Sequence, residues 1–155
     1  MDELVKTLRM LGLKVTPQRL SILDALQGDR THPSAEMLYQ KVSRRFPGMS
    51  FATVYNTLSA LVVAGRIQGL DIDPHQKRFD PDTVRHDHFF CKICRKIYDL
   101  ESRASFAAEM GGIDGHRVED VQIQFKGTCR SCRTRQTAEE KAQSKMAHRK
   151  RTSRN

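Results

Sequence analysis

Four cysteines stand in two pairs with the same spacing, and this pattern predicts a metal site. The pairs are Cys91–Cys94 and Cys129–Cys132. A Cys-x-x-Cys turn directs two thiolates at one ion, and two such turns complete a tetrahedral sulfur cage that suits Zn²⁺. A redox-active dithiol and an iron–sulfur cluster are the alternatives for the same residues. Because a closed four-thiolate site leaves no position for a substrate, we expect a structural role and no catalysis.

A second group of possible metal ligands lies just before the first cysteine pair. His86 and His88 flank one residue, and alternate residues of a strand point to the same face, so both imidazoles could bind one ion. Asp80, Asp99 and His32 are the further candidate ligands. Three imidazoles and two carboxylates suit Fe²⁺, Mn²⁺ or Zn²⁺ better than a thiophilic ion. Five protein ligands would leave at most one open position on a six-coordinate iron, and peroxide could enter there.

Four helices are predicted in the first half of the chain from caps and apolar periodicity. Thr16 can cap a helix that opens with Pro17, because proline is tolerated at the first helical position. Ser34 and Ser50 can cap two more helices, and Gly65 is the expected stop of the last one. The expected helices run from Asp2 to Leu11, from Pro17 through Leu26, from Ser34 to Pro47-Gly48 and from Ser50 to about Ala64.

The fourth helix has an outward side that suits DNA. Its apolar residues repeat at helical spacing and predict a buried stripe, whereas its outward residues are small or hydrogen-bonding. No acidic residue occurs between Ser50 and Gly65. Short polar side chains and a tyrosine can reach base edges in the major groove. The predicted DNA contacts are Ser50, Thr53, Tyr55 and Asn56 at the groove, with Lys14 and Arg19 on phosphates or in the minor groove. The alternative for each is a solvated helix face.

Two short extended runs follow the fourth helix and predict a β-hairpin. They are Arg66–Ile72 and Lys77–Phe79, joined by a turn at Asp73-Pro74-His75-Gln76. Three helices, an outward-facing fourth helix and a hairpin make a winged helix-turn-helix. A helical bundle with a hairpin and no nucleic-acid role is the alternative.

The second half of the chain predicts a small domain that mixes strands with one helix, so the fold class is α+β. His88–Cys91 and Lys96–Leu100 look extended, Ser102–Met110 looks helical up to Gly111-Gly112, and residues 121–125 alternate as in a strand. The predicted division is a winged-helix domain (1–80), a hinge (81–85), a metal-binding domain (86–133) and a basic, disordered tail (134–155).

The chain of 155 residues carries a formal net charge of +9, which suits a polyanionic partner such as DNA. Residues 133–155 hold eight basic residues and two acidic ones, although a solubilising tail would explain that segment equally well. The start of the sequence lacks the basic-then-apolar form of a secretion signal, and no apolar run approaches the ~18 residues of a membrane span. We therefore expect a cytoplasmic protein with reduced thiols and no membrane partner.

Taken together, these residues resemble the ferric-uptake-regulator family over residues 1 to about 132. The resemblance rests on Thr16-Pro17-Gln18-Arg19, His32-Pro33-Ser34-Ala35-Glu36, Ala52-Thr53-Val54-Tyr55-Asn56-Thr57-Leu58, Arg78-Phe79-Asp80 and His86-Asp87-His88, with both cysteine pairs. It implies an N-terminal winged helix, a C-terminal α/β dimerisation domain and a homodimer that binds a palindromic double-stranded DNA operator when loaded with metal. The basic tail after Cys132 is not part of the family pattern.

Within this family, the sequence is similar to the peroxide-sensing branch. By resemblance, His32, Asp80, His86, His88 and Asp99 bind the regulatory Fe²⁺ or Mn²⁺, and the four cysteines hold structural Zn²⁺. Iron-sensing members usually carry glutamate at the positions of Asp80 and Asp99. The implied protein is a repressor that leaves DNA when peroxide oxidises an iron-ligating histidine, His32 or His86. Mn²⁺ would support repression and resist this oxidation.

Three other functions are open at the level of sequence. An iron- or zinc-uptake regulator of the same family would share metal-dependent DNA binding but would not respond to peroxide. A small metalloenzyme could use His86, His88 and an acid at a mononuclear iron. We see no general base and no substrate pocket for such chemistry, so we expect no enzyme. A zinc-ribbon interaction module would bind no DNA.

Overall fold

The computed structural model describes residues 2–101, 115–118 and 121–138, and there four helices precede two small sheets. The helices are α1 (Asp2–Met10), α2 (Pro17–Leu26), α3 (Ala35–Ser43) and α4 (Phe51–Val63). The strands are β1 (Gln68–Leu70), β2 (Arg78–Asp80), β3 (Asp87–Cys91), β4 (Ile97–Leu100) and β5 (Gln124–Gly127). Residues 130–138 are also helical. This architecture has the predicted α+β class.

Side-chain caps start α2, α3 and α4 at the predicted residues. The side-chain oxygens of Thr16, Ser34 and Ser50 each accept the N–H of the residue three positions later, at 3.2–3.3 Å. Each bond satisfies one of the N–H groups that a helix start leaves without an intrahelical partner. Gly65 follows α4 with φ +64°, a left-handed conformation that favours glycine and ends the helix.

Apolar residues from all four helices form one core. Leu8, Ile22, Leu38 and Leu58 represent the four helices, and each is at most 1% exposed. Thr57 is buried beside them, and its hydroxyl donates at 2.7 Å to the carbonyl one turn earlier. The buried stripe of α4 is therefore wider than its apolar residues alone predicted. Packing on this side leaves the polar side of α4 facing outward.

The hairpin after α4 consists of β1 and β2, which pair antiparallel from Gln68 with Asp80 to Leu70 with Arg78. The first strand is shorter than the predicted run of residues 66–72. The N–H of Arg66 donates to a carbonyl near the end of α4 at 2.9 Å, so it is engaged by the helix terminus instead of the sheet. We call the segment 68–80 the wing.

The second sheet has the strand order β4-β3-β5, with β4 antiparallel and β5 parallel to β3. The strand predicted around residues 121–125 lies instead at Gln124–Gly127, where parallel pairing with β3 sets its position. Its predicted apolar alternation does not point into a core, since Phe125 is 41% exposed. The predicted helix at 102–110 and its end at 111–112 lie outside the described residues.

Alternation along β3 directs neighbouring side chains to opposite faces of the second sheet. Phe90 packs with Leu70 and Ile72 of the wing in a small second core. Phe89 packs on the other face against the buried cysteines. The wing and the second sheet therefore touch through apolar residues, and β3 separates the two candidate metal clusters.

Two helix ends differ from the sequence prediction. Helix α3 ends at Ser43, before the predicted stop at Pro47-Gly48. The N–H groups of residues 45 and 46 donate to carbonyls three residues back, at 3.0 and 3.1 Å, which tightens the last turn. The helical residues 130–138 extend into the segment that was assigned to the basic tail. Within the described part of the chain, no helix is long and apolar enough to cross a membrane.

Candidate metal centres and DNA-binding face

The four cysteines come together as the sequence predicted. One sulfur from each of Cys91, Cys94, Cys129 and Cys132 lies within 4.8 Å of the others. Cys91 ends β3, and the second pair lies at the start of the helical residues 130–138. None of the four forms a disulfide, and Cys94 alone of them is exposed. The geometry gathers four thiols around one point, as a tetrahedral Zn²⁺ site requires.

Hydrogen-bond donors around the sulfurs favour the thiolate form of two of these cysteines. Burial raises the pKa of Cys91, but backbone N–H donors outweigh it and bring the pKa to about 6; one of them is the Cys129 N–H, at 3.3 Å from the sulfur. A hydrogen bond from the Tyr98 hydroxyl is the main cause that lowers the pKa of Cys129. Burial raises the pKa of Cys132 to about 12. A bound cation would favour the ionised form of all four thiols, so the residues fit a metal.

The second cluster is assembled from three separate parts of the fold. His88 on β3 lies directly opposite Asp99 on β4 in the antiparallel register. His86 precedes His88 by two residues, and Asp80 ends β2. His32 comes from the loop before α3, where it adopts φ +51°. One ligand atom from each of the five lies within 4.8 Å of the others, so the structure brings the predicted residues together.

Asp80 lies at the centre of this cluster. Its Oδ2 is 3.0 Å from Nε2 of His86, 3.1 Å from Nε2 of His88 and 3.6 Å from Nε2 of His32. Asp99 Oδ1 lies 2.8 Å from Nε2 of His32 and 3.6 Å from Nε2 of His86. Each of the three imidazoles thus directs its Nε2 toward the carboxylate of Asp80, and those of His32 and His86 also face the carboxylate of Asp99.

Unsatisfied ring nitrogens show that this cluster fits a cation. Nε2 of His86 and both ring nitrogens of His32 are buried and make no well-formed hydrogen bond with the described residues. Their short approaches to the carboxylates therefore do not satisfy them as hydrogen bonds would. Buried polar atoms without partners are rare, and a cation bound by mixed nitrogen and oxygen donors would satisfy Nε2 of both His32 and His86. The Val84 carbonyl contacts Nδ1 of His86 at 2.7 Å and leaves Nε2 to face the cluster.

Charge interactions in the cluster keep the carboxylate ionised and favour a proton on one imidazole. Burial raises the pKa of Asp80, but contacts with His32 and His88 outweigh it and hold this pKa well below its usual value. Burial lowers the pKa of His86, but the Val84 carbonyl and the carboxylates of Asp80 and Asp99 together raise it. A proton on His86 therefore competes with a cation for the same nitrogen.

The residues predicted to contact DNA lie on the outer side of the helical part. Tyr55 is 51% exposed, and Asn56 is exposed beside it. Four others line a common cleft, and these are Lys14, Arg19, Ser50 and Thr53. The Ser50 and Thr53 hydroxyls lie 3.0 Å apart and bond to each other, and Ser50 also caps α4. Contact of these six residues with DNA stays a prediction.

Sequence analysis named none of Asp73, Arg78 and Arg95 as part of the second metal site. Asp73 at the tip of the wing binds both Arg78 and Arg95. Arg78 also donates to the carbonyl of His32 at 2.6 Å. The only sequence signal was the motif Arg78-Phe79-Asp80, because the partners of these side chains are far apart in the chain.

Comparisons with known proteins agree on one family. The sequence profile of the ferric uptake regulator family matches residues 10–126. The peroxide-responsive repressor PerR of Staphylococcus aureus is 34% identical over 137 residues, which cover 85% of this chain and 90% of that protein. The peroxide operon regulator of Bacillus subtilis is 34% identical over the same length, covering 85% and 92%. The ferric uptake regulator from Francisella tularensis, solved with iron, aligns at a TM-score of 0.68 and 28% identity, over 79% of this chain and 96% of that one.

Proposed function

This chain belongs to the ferric uptake regulator family, and we propose that it is a metal-dependent repressor of transcription that peroxide releases from DNA. Members of this family are transcription regulators rather than enzymes. Two relatives named for their response to peroxide are each 34% identical to this chain, which supports the finer assignment.

The observation that carries the proposal is the five-residue cluster at the contact between the wing and the second sheet. His32 belongs to the helical part and Asp80 to the wing, whereas His88 and Asp99 lie on the second sheet and His86 comes directly before it. Ligands from both parts would hold them in one relative position. A cation can shift a conformational equilibrium only if it binds one arrangement more tightly. The five groups converge in this arrangement, so it is the one that metal binding would favour.

We assign DNA recognition to α4 and the wing, and dimerisation to the second sheet. The exposed polar side of α4 would enter the major groove, and a homodimer would present two such helices to a palindromic operator in the cytoplasm. Tyr98 and Phe125 expose 36% and 41% of their surface on the second sheet, which supports an apolar contact between two copies. The proposed domains keep the bounds 1–80 and 86–133, with 81–85 as the hinge.

The two clusters would hold different metals. Cys91, Cys94, Cys129 and Cys132 would bind Zn²⁺ as a closed structural site. The five-residue cluster would bind Fe²⁺ or Mn²⁺, which accept imidazole and carboxylate ligands. Zinc at the cysteines would connect the end of β3 to the helical residues 130–138, and so stabilise a sheet with few strands.

The release mechanism proposed here is oxidation of a ligand. Bound Fe²⁺ would supply reactivity toward peroxide that Mn²⁺ does not. The imidazole of His32 or His86 would gain one oxygen atom from peroxide, with water as the second product. An oxidised ring no longer offers the same lone pair, so the ligand set would fail and the two parts would separate. Nε2 of His32 lies 2.8 Å from Asp99 Oδ1, and Nε2 of His86 lies 3.0 Å from Asp80 Oδ2, which supports both rings as candidates for oxidation by peroxide.

The test compares two metals on the full zinc-loaded chain. A palindromic duplex is first selected from random DNA with the Mn²⁺-loaded protein. Stoichiometric peroxide should then release the Fe²⁺-loaded protein from this duplex and add ~16 Da to the peptide with His32 or His86. The Mn²⁺-loaded protein is the control, which should stay bound and unmodified. DNA binding that persists with iron and peroxide, without a histidine mass change, would instead indicate an iron- or zinc-uptake regulator.

A further inference from the structure

We propose that Arg78 is a positioning residue for the regulatory cation, because it holds the backbone of His32 and is itself anchored by Asp73. The inference deepens the proposed function, since it takes the five-residue cluster as the regulatory site. Arg78 lies two residues before Asp80 on β2, so both side chains lie on the same face of the strand. One short strand thus supplies a ligand and the group that orients another ligand.

The imidazole of His32 lacks the support that orients the ring of His86. The Val84 carbonyl contacts Nδ1 of His86 and fixes that ring. Among the described residues, Nδ1 of His32 has no hydrogen-bond partner, although the ring is fully buried. A ligating histidine usually has such a partner on its second nitrogen, which sets the orientation of the ring. A different contact must therefore fix the orientation of the His32 ring.

The backbone of His32 supplies this direction. Its φ of +51° is a conformation that residues other than glycine adopt uncommonly, so the surrounding structure must hold it. Nε of Arg78 donates to the His32 carbonyl at 2.6 Å, and the next N–H on β2 donates to the Pro33 carbonyl at 2.9 Å. A β-bridge between Ser34 and Arg78 continues the same contact. The loop before α3 is therefore tied to β2 at the histidine and at the two residues that follow it.

Arg78 is fixed in turn by a buried carboxylate. The side chain of Asp73 is fully buried and lies 3.5 Å from Nη1 of Arg78 and 2.7 Å from Nη2 of Arg95. It also accepts the His75 N–H at 3.1 Å and Gln76 Nε2 at 3.3 Å. Burial raises the pKa of Asp73, but these hydrogen bonds and Arg95 outweigh it and keep the carboxylate ionised.

Only an arginine can make both contacts of residue 78. The guanidinium has several N–H groups in a fixed plane, so Nε can bind the His32 carbonyl while Nη1 faces Asp73. A lysine ammonium at the same place is a single point charge on a flexible chain. Arg78→Lys keeps the charge for Asp73 and loses the simultaneous hold on the carbonyl, which makes it the sharpest variant.

The experiment measures Mn²⁺ binding by calorimetry on full-length, zinc-loaded parent, Arg78→Lys and Lys77→Gln proteins. Loss of a group that orients a metal ligand typically weakens binding about 10–100-fold, and we expect a loss in this range for Arg78→Lys. Lys77 is the matched control, because its partly exposed ammonium lies 3.8 Å from the exposed Asp71 and touches no ligand. The Mn²⁺ dissociation constant of this control should lie within about twofold of the parent's value. Zinc content should be equal in all three.

A second readout separates positioning from general loosening. The Fe²⁺-loaded proteins are treated with peroxide, and oxygen addition is compared between the peptides that contain His32 and His86. If Arg78 orients His32 alone, the ratio of oxidised His32 to oxidised His86 falls in Arg78→Lys. Equal Mn²⁺ affinity of parent and Arg78→Lys, or weaker binding with an unchanged ratio, would overturn the inference.

Two further outcomes are decisive. A parent chain that binds no Mn²⁺ would overturn the proposed function, and this inference with it. A parent that binds while Arg78→Lys binds equally well overturns the inference alone. If Arg78→Lys loses its zinc, Asp73→Asn decides, because it removes the charge that anchors Arg78 and leaves Arg78 itself in place. Asp73→Asn should also weaken Mn²⁺ binding, and unchanged binding would count against the inference.

Discussion

Replacement of Asp80 by asparagine is expected to remove most of the thermal stability that Mn²⁺ gives to the full chain. The Asp80 carboxylate is 2% exposed and lies 3.0–3.6 Å from Nε2 of all three histidines in the cluster. Asparagine has nearly the same shape, but its neutral amide replaces a charged oxygen ligand. The loss should therefore appear in metal binding with little change in the packing of the wing.

The size of the effect follows from linkage between binding and folding. With Mn²⁺ at about 100 times the parent's Kd, binding stabilises the folded chain by about 2.7 kcal/mol. For a chain of this size, each kcal/mol raises Tm by roughly 2–4 °C, so the parent gains about 5–11 °C. If the variant binds about 100-fold more weakly, only about 0.4 kcal/mol remains, or about 1 °C. Without Mn²⁺, the variant also loses the charged partner of the hydrogen bond to His88, which costs about 1.5–3 kcal/mol.

Scanning calorimetry of zinc-loaded full-length protein, with and without Mn²⁺, measures both effects. Asp71→Asn is the matched control, because its carboxylate is 81% exposed on the wing and 3.8 Å from the partly exposed Lys77 ammonium. Mn²⁺ should raise the Tm of this control by as much as it raises the Tm of the parent. A full gain of Tm in Asp80→Asn at the same Mn²⁺ concentration would mean that the cation binds elsewhere, and the assignment of the cluster would be wrong.

Three shorter predictions address the proton, the zinc and the tail. His86 has a raised pKa in the folded, metal-free chain, so its contribution to stability is present below about pH 6.5 and is lost as the pH rises through the folded pKa. A bound proton opposes the cation, so Mn²⁺ affinity should fall about tenfold per pH unit below that pKa; calorimetric affinities that do not change with pH would contradict this. Cys132→Ser should lose stoichiometric zinc, and the mutant should melt at lower temperature by circular dichroism; retained zinc by metal analysis would refute the four-cysteine assignment. Deletion of residues 139–155 removes six basic and two acidic residues, so the plot of log affinity for DNA against log salt should flatten. An unchanged slope would show that the tail does not contact phosphates.

Features that depend on neighbouring residues could be predicted from the sequence alone. The caps at Thr16, Ser34 and Ser50 follow from a side chain and the backbone three residues later. The cysteine pairs and the His86-x-His88 alternation follow from the same short range. These patterns require only the geometry of one turn or one strand, so the helix starts, the cysteine pairs and the pairing of His86 with His88 could be predicted locally. The addition of His32, Asp80 and Asp99 to the same group rested on the family resemblance.

Other features depend on contacts with residues that are distant in the chain, and the sequence does not show which residues these are. The position of β5 is set by parallel pairing with β3, which is distant in the chain, and the apolar alternation at 121–125 overlaps only the first two residues of the strand. The buried side of α4 includes Thr57, whose hydroxyl donates a hydrogen bond to a backbone carbonyl of the same helix. Hydrophobicity alone could not place a threonine in the core.

The sequence predicted which residues could bind the cation, but it did not predict the contacts that hold those residues in position. The five candidate ligands could be named because histidine and aspartate donate nitrogen and oxygen to metals, and because the motifs around them resemble a known family. The hold of Arg78 on His32 joins residues 46 positions apart, and the anchor at Asp73 joins the wing to the residue after Cys94. Such contacts exist only when packing has brought distant segments together, because a hydrogen bond depends on distance and direction rather than on order along the chain.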